Sequence, residues 1–162
     1  ATNDQYGPGA IWLGTHRVDR NPPHVTYVVD RSEDSRLAHA VADHAYWLSG
    51  LAPRNAGRIG TIDVRSFGFG VGDPKPSGMK VGAGALTGGT KAAIPYVELR
   101  QTWSKPPKTP KRDALVVVAR NISRVVVDVH RARVGCAAKV RVSSDGPVRV
   151  VLAGCDRTVR AS

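Results

Sequence analysis

Proton-transfer chemistry, if this chain performs any, falls first to its five histidines: His16, His24, His39, His44 and His130. Histidine alone titrates near neutral pH without perturbation. His44 follows Asp43 directly, which makes it the candidate catalytic residue. Adjacency in sequence does not show that the two side chains meet, and a general base must also reach its substrate. His39 and His44 are five apart, so they do not form the i,i+4 pair of a helical zinc site. Asp63, Asp73 and Asp128 are dispersed without calcium-loop spacing. Asp128-Val129-His130 would need ligands from elsewhere, and two cysteines alone do not build a zinc site. No metal and no cofactor are expected.

A nucleophile is equally hard to place. No Gly-x-Ser-x-Gly elbow occurs, and Ser49-Gly50 and Ser66-Phe67-Gly68 lack its surroundings. Gly68-Phe69-Gly70-Val71-Gly72 superficially suggests a phosphate loop. Pro74 and Pro76 follow at once and leave no helix N-terminus to cradle the anion. The residues contain no self-contained catalytic motif, so whether the chain is an enzyme stays open.

Binding residues are easier to nominate. The formal net charge of +11 favours polyanions, although the arginines are spread along the chain. Lys105-Pro106-Pro107-Lys108-Thr109-Pro110-Lys111-Arg112 reads as an exposed, extended basic loop over 104–112. Lys105, Lys108, Lys111 and Arg112 are therefore candidate anion contacts. Trp12, Tyr46, Trp47 and Trp103 offer a sugar-stacking platform, with Trp47 and Trp103 the binding candidates. The competing reading makes these aromatics core anchors. Tyr46 and Trp47 would point to opposite faces of a strand, so at least one belongs near a surface. Asn121-Ile122-Ser123 matches a glycosylation acceptor, and a plain turn explains it as well.

Cys136 and Cys155 are the only cysteines and allow one intramolecular bridge. They bracket an expected hairpin of strands Lys139–Ser143 and Val148–Leu152. Asp-Gly suggests a two-residue turn, but Pro147 lacks the N–H that would close it, so a three-residue loop is preferred. That loop places Val142 opposite Val148 and Val140 opposite Val150. A bridge there needs a bulge or a frayed end. It would close a loop of about 20 residues, worth roughly 3 kcal/mol, and it implies an oxidising compartment. Buried cytosolic thiols are the rival reading.

These residues must be carried by a β-rich chain. It has 162 residues, 41% hydrophobic and only 6% aromatic, and its valine-rich runs suit strands. Expected strands are Ala10–Val18, His24–Asp30, Tyr46–Leu51, Arg58–Phe69, Ala92–Trp103, Leu115–Arg120 and Arg124–His130, besides the hairpin. A short helix over 37–44 and a long Gly-rich loop over 68–90 complete the reading. The fold class is all-β, an antiparallel β-sandwich-like single domain over 1–162 with long Gly/Pro-rich loops. No stretch has the length and apolarity of a membrane span. The polar start at Ala1 is what a mature secreted chain or a recombinant fragment would show.

Three segments together resemble the β-rich C-terminal region of secreted actinobacterial hydrolases of the α/β-hydrolase type. They are Asp43-His44-Ala45-Tyr46-Trp47-Leu48-Ser49-Gly50-Leu51, Gly60-Thr61-Ile62-Asp63-Val64-Arg65-Ser66, and Ser144-Asp145-Gly146-Pro147 with its flanking valines. The resemblance covers most of the chain and includes no catalytic signature. It implies a nucleophile on a separate catalytic domain, so no catalytic residue is carried over from it.

Three functions follow as expectations. The first is a non-catalytic accessory module of a secreted hydrolase, packing on a catalytic domain or partner chain or binding polymeric substrate. The second is an independent extracellular protein that binds a polyanion or polysaccharide. The third is a part of a hydrolase active site that lends a histidine such as His44.

Overall fold

The computed structural model describes residues 7–32, 34–35, 37–87 and 92–162. The protein is all-β. The chain divides into two compact units, one of residues 1–19 and 74–107 and the other of residues 20–73 and 108–162. None of the described helices is long and apolar enough to cross a membrane.

The larger unit holds two four-stranded sheets. β1 (His24–Val29), β3 (Gly60–Ser66), β6 (Ala114–Arg120) and β8 (Lys139–Ser144) form one in the order β1-β3-β6-β8. β2 (Leu48–Pro53), β7 (Ile122–Asp128), β9 (Val148–Ala153) and β10 (Arg157–Ala161) form the other in the order β10-β9-β7-β2. Alternate residues of both sheets enter one core. Val25, Ile62, Val64, Leu115 and Val117 come from the first sheet, and Leu48, Leu51, Val125, Val127, Val150 and Leu152 from the second. Trp47 is the largest of the fully buried side chains.

The cysteine-flanked segment is not a hairpin. β8 pairs with β6 and β9 pairs with β7, both in parallel, so the chain crosses between sheets at Asp145-Gly146-Pro147. Val142 therefore does not face Val148, and the sandwich is mixed rather than wholly antiparallel. β6 and β7 make the same kind of crossing at Asn121, whose φ of 52° is left-handed. β2 and β3 make a third. The alternation that suits a hairpin also suits such an arch, because both send every second residue into one core.

Three crossings share one polar seam. The Asn121 N–H donates to both Asp145 carboxylate oxygens at 2.9 and 3.1 Å. Its side-chain amide donates to the carbonyls of Asn55 at 3.0 Å and Arg58 at 2.9 Å, and accepts from the Asn55 N–H at 3.0 Å. The Arg54 guanidinium pairs with Asp145 and donates to the Ile122 carbonyl. A glycan on Asn121 would break this seam, so the acceptor-like triplet is a structural turn.

The bridge Cys136–Cys155 is formed, with Cα atoms 5.5 Å apart. It joins the approach to β8 in one sheet to the β9–β10 turn in the other. Neither a hairpin bulge nor a frayed end is needed.

The smaller unit contains α1 (Gly7–Thr15) and a two-stranded antiparallel ribbon of β4 (Pro76–Leu86) and β5 (Ile94–Trp103). Two expectations fail here. The apolar run from Ala10 forms helix instead of strand, an ambiguity inherent in short apolar runs. Much of the expected Gly-rich loop is strand β4, while residues 88–90 lie outside the described residues. Met79, Val81, Ala83 and Ala85 alternate along β4, and Gly84 leaves room for the Tyr96 ring, which a Cβ would meet at 2.5 Å. In the larger unit the expected helix over 37–44 is a set of turns. Ser35 and Ala40 exchange backbone hydrogen bonds of 2.8 and 2.9 Å, and His39 is left-handed at φ 52°. Residues 104–112 are irregular, apart from a bridge between Lys108 and Val71.

Candidate functional site

Phe67–Phe69 is one turn of 3-10 helix at the end of β3. Ser66 caps it, with its hydroxyl accepting from the Gly68 N–H and donating to the Ala132 carbonyl at 2.5 Å. Ser66 is only 1% exposed, so it is structural and not a nucleophile. Gly68 is required by close approach, because a Cβ there would stand 1.9 Å from the Arg133 carbonyl oxygen.

This turn presents two aromatic rings, and each carries a guanidinium. Arg112 lies 4.4 Å above the Phe67 centroid and Arg133 lies 4.7 Å from that of Phe69. The Arg112 N–H donates to the Phe67 carbonyl at 3.1 Å and holds the basic loop against the turn. Two cavities of about 350 and 290 Å³ share Arg112 and Asp113 in their walls. Phe67, Lys139 and Arg141 line the first, and Lys111 and Arg133 the second. Lys111, Arg112, Arg133, Lys139 and Arg141 are all exposed. Among the described residues none of the five is ion-paired. Asp113 accepts from the Gly135 N–H at 2.8 Å. Stacking on a ring preorganises an arginine while leaving its donors available.

No family model, curated protein or solved structure matches the chain. The reading of its surfaces therefore rests on their own chemistry.

The remaining sequence candidates separate. Lys108, Lys111 and Arg112 belong to the larger unit, while Trp103 and Lys105 belong to the smaller. Trp103 is 60% exposed, but Trp47 is 1% exposed and donates its indole N–H to the Pro22 carbonyl at 2.8 Å. Trp47 is thus a core anchor and cannot offer its ring to a sugar. Tyr46, its neighbour, is exposed. The Trp12 side chain lies outside the described residues. Around His44 the Nδ1 atom lies 2.7 Å from Asp43 Oδ1, and the imidazole is exposed.

One cluster escaped the sequence reading. His24 Nε2 is 2.7 Å from Asp63 Oδ2, and Nδ1 is 3.1 Å from both Asp73 Oδ1 and Arg65 Nη2. Arg65 also pairs with Asp73, and the Thr26 hydroxyl donates to Asp63 at 2.6 Å. Burial raises the Asp63 carboxyl, but the Thr26 hydroxyl, His24 and Arg65 together outweigh it and hold it below its usual value. Both imidazole nitrogens are engaged. As imidazolium, His24 donates to both aspartates. As neutral imidazole it donates from Nε2 and accepts from Arg65 at Nδ1. The cluster is suited to fastening β1, β3 and the Asp73 segment together, not to accepting a proton from a substrate. Its outward residues pair across β1 and β3, His24 with Arg65 and Thr26 with Asp63. Only that register could have revealed it. No group of described residues has a metal-binding arrangement.

Proposed function

We propose that this chain is a non-catalytic binding module of a secreted hydrolase that holds an anionic polymer along the Phe67–Arg112 groove. The observation that carries the reading is the pair of arginines stacked on Phe67 and Phe69, flanked by three further unpaired cations. Five cations around the single Asp113 carboxylate leave a net positive surface that concentrates a polyanion. Adjoining cavities with shared walls suit a chain of repeating units better than one small molecule. The buried Ser66 and the doubly engaged His24 support a non-catalytic role. The disulfide supports an oxidising compartment.

The test is retention of the purified protein on gels containing polygalacturonate or heparin, beside neutral dextran. Retention by the anionic polymers alone is expected, falling steeply with salt. Arg112→Gln and Arg133→Gln should each weaken it and reduce its salt dependence. Unchanged retention in a folded double variant would reject the groove.

A second reading has a specific observation behind it. Asp43 orients His44 through Nδ1 and leaves Nε2 turned to no described partner, as a triad imidazole requires. If His44 serves a catalytic domain, His44→Ala should abolish turnover by the assembled enzyme while the fold persists. A retained rate rejects it.

A further inference from the structure

A second basic surface lies on the outer face of the other sheet. Arg160 of β10 stands directly opposite Arg149 of β9, and Arg149 stands beside Arg124 of β7. Three arginines thus occupy one row across three neighbouring strands, about 4.8 Å apart from strand to strand. Like charges set opposite one another on a sheet destabilise it. None of the three is ion-paired among the described residues, and all are exposed. Arg124 turns its guanidinium over Gly50 of β2, where a Cβ would stand 3.1 Å from its Nη1.

Arg149 and Arg160 instead line a cavity of about 500 Å³, within the range of small-ligand sites. Arg54, Pro147, Val148 and Ala161 are among its other lining residues. Arg54 is already neutralised by Asp145. The cavity therefore sets two guanidiniums, unpaired among the described residues, beside the apolar surface of Pro147 and Ala161, with Ser123 and Ser162 also in its wall.

We propose that this cavity binds a phosphate or sulfate monoester, its oxyanion head between Arg149 and Arg160 and its organic body against Pro147 and Ala161. Arginine's planar fork matches tetrahedral oxyanions. That apolar surface favours an ester over the free inorganic ion. The site is separate from the Phe67–Arg112 groove and does not depend on it.

Phenyl phosphate, phenyl sulfate and inorganic phosphate are the probes, titrated by calorimetry and by NMR of the arginine Nε–H groups at low salt. At least one ester should bind more tightly than inorganic phosphate, and the stronger of the two identifies the preferred source. Arg149→Gln and Arg160→Gln should each weaken that binding by about tenfold or more, with Arg149→Lys retaining part of it. Arg112→Gln should leave it unchanged. Without ligand, Arg149→Gln should raise the unfolding midpoint by about 1–3 °C through relief of repulsion. The proposal is overturned if neither ester binds at millimolar concentration, if a folded Arg149→Gln binds as well as the parent, or if Arg112→Gln abolishes binding. A fall in the unfolding midpoint of Arg149→Gln would also count against it, since it would mean the row is already compensated.

Discussion

The Asn121 backbone N–H donates to both carboxylate oxygens of Asp145, at 2.9 and 3.1 Å, and so joins two chain crossings that stack in parallel. Asn121 belongs to the β6–β7 crossing and Asp145 to the β8–β9 crossing. Arg54, from the β2–β3 crossing, closes the seam from the third side. Sandwich edges are commonly joined by hairpins within one sheet. Here each of three connections changes sheet, and polar side chains replace the ladder bonds a hairpin would supply.

Asn121→Ala should accordingly destabilise the protein by about 2–4 kcal/mol. The variant loses the amide bonds to Asn55 and Arg58 and must still hold a left-handed φ without an Asn side chain. Asn121→Gly should cost less, because glycine tolerates that φ while losing the same bonds. Urea denaturation of both variants provides the comparison. Equal stability of Asn121→Ala and parent would show that the seam is incidental.

Acid should weaken the fold through two carboxylates. Asp145 is held below its usual value by the Arg54 guanidinium and by the Asn121 N–H. Asp63 is held low because Thr26, His24 and Arg65 overcome its burial. Folded values below the unfolded ones contribute stability above the ordinary carboxylate pKa, about 4. That contribution is lost as pH falls through the lower, folded values. Unfolding midpoints measured from pH 6 to pH 2 should drop at the acid end. Asp63→Asn and Asp145→Asn should each be less stable at pH 6 and flatten that drop. Parallel acid limbs in all three proteins would contradict the assignment.

Much of the strand content was legible because apolar and polar residues alternate in β3, while β1, β6 and β7 carry the valine runs that suit strands. The cysteine count named the only possible pair, but the hairpin that argued for the bridge is absent, and nothing in the residues alone excluded buried thiols. Sheet membership was not legible. Val140, Val142, Val148 and Val150 face the core whether β8 and β9 pair together or sit in opposing sheets. The inward pattern is identical, and only the neighbours reveal the arch. Strand β4 was hidden by its glycines, which lower strand propensity but make room for Tyr96 across the ribbon. Arg112 was legible as an exposed cation in a proline-rich run. Its partner Phe67 and the companion pair Arg133–Phe69 were not, since tertiary contact alone brings residues 67, 112 and 133 together.

Reduction of the disulfide should be costly but not fatal. Cys136 and Cys155 are separated by 19 residues, and opening that loop releases chain entropy worth about 3 kcal/mol. The Arg157 guanidinium independently donates to the carbonyls of Cys136 and Ala138, both at 2.7 Å, so β10 stays tied to the start of β8. The paired variant Cys136→Ala/Cys155→Ala should fold with a lowered urea midpoint. Adding Arg157→Ala should lower it further. A midpoint unchanged by reductant would mean that the bridge contributes nothing beyond these hydrogen bonds.

Gly68→Ala should damage both fold and groove. The new Cβ would stand 1.9 Å from the Arg133 carbonyl oxygen and 2.7 Å from its carbonyl carbon. Both are backbone atoms, so no side-chain rotation relieves the clash. The turn or the Arg133 segment must move by more than 1 Å to restore the ordinary separation of 3.4 Å or more. A cost of about 2–4 kcal/mol follows, in the range of overpacked sites. The same movement separates Phe67 and Phe69 from the arginines stacked on them. Retention on anionic polymer gels should therefore fall below that of the parent even at temperatures where the variant is folded. Gly154→Ala is the control. Its Cβ meets nothing within 4 Å, and only its φ of 74° is strained, at about 1 kcal/mol. It should lose a little stability and no binding. If Gly68→Ala binds as the parent does while folded, the alignment of rings and guanidiniums is not what holds the polymer.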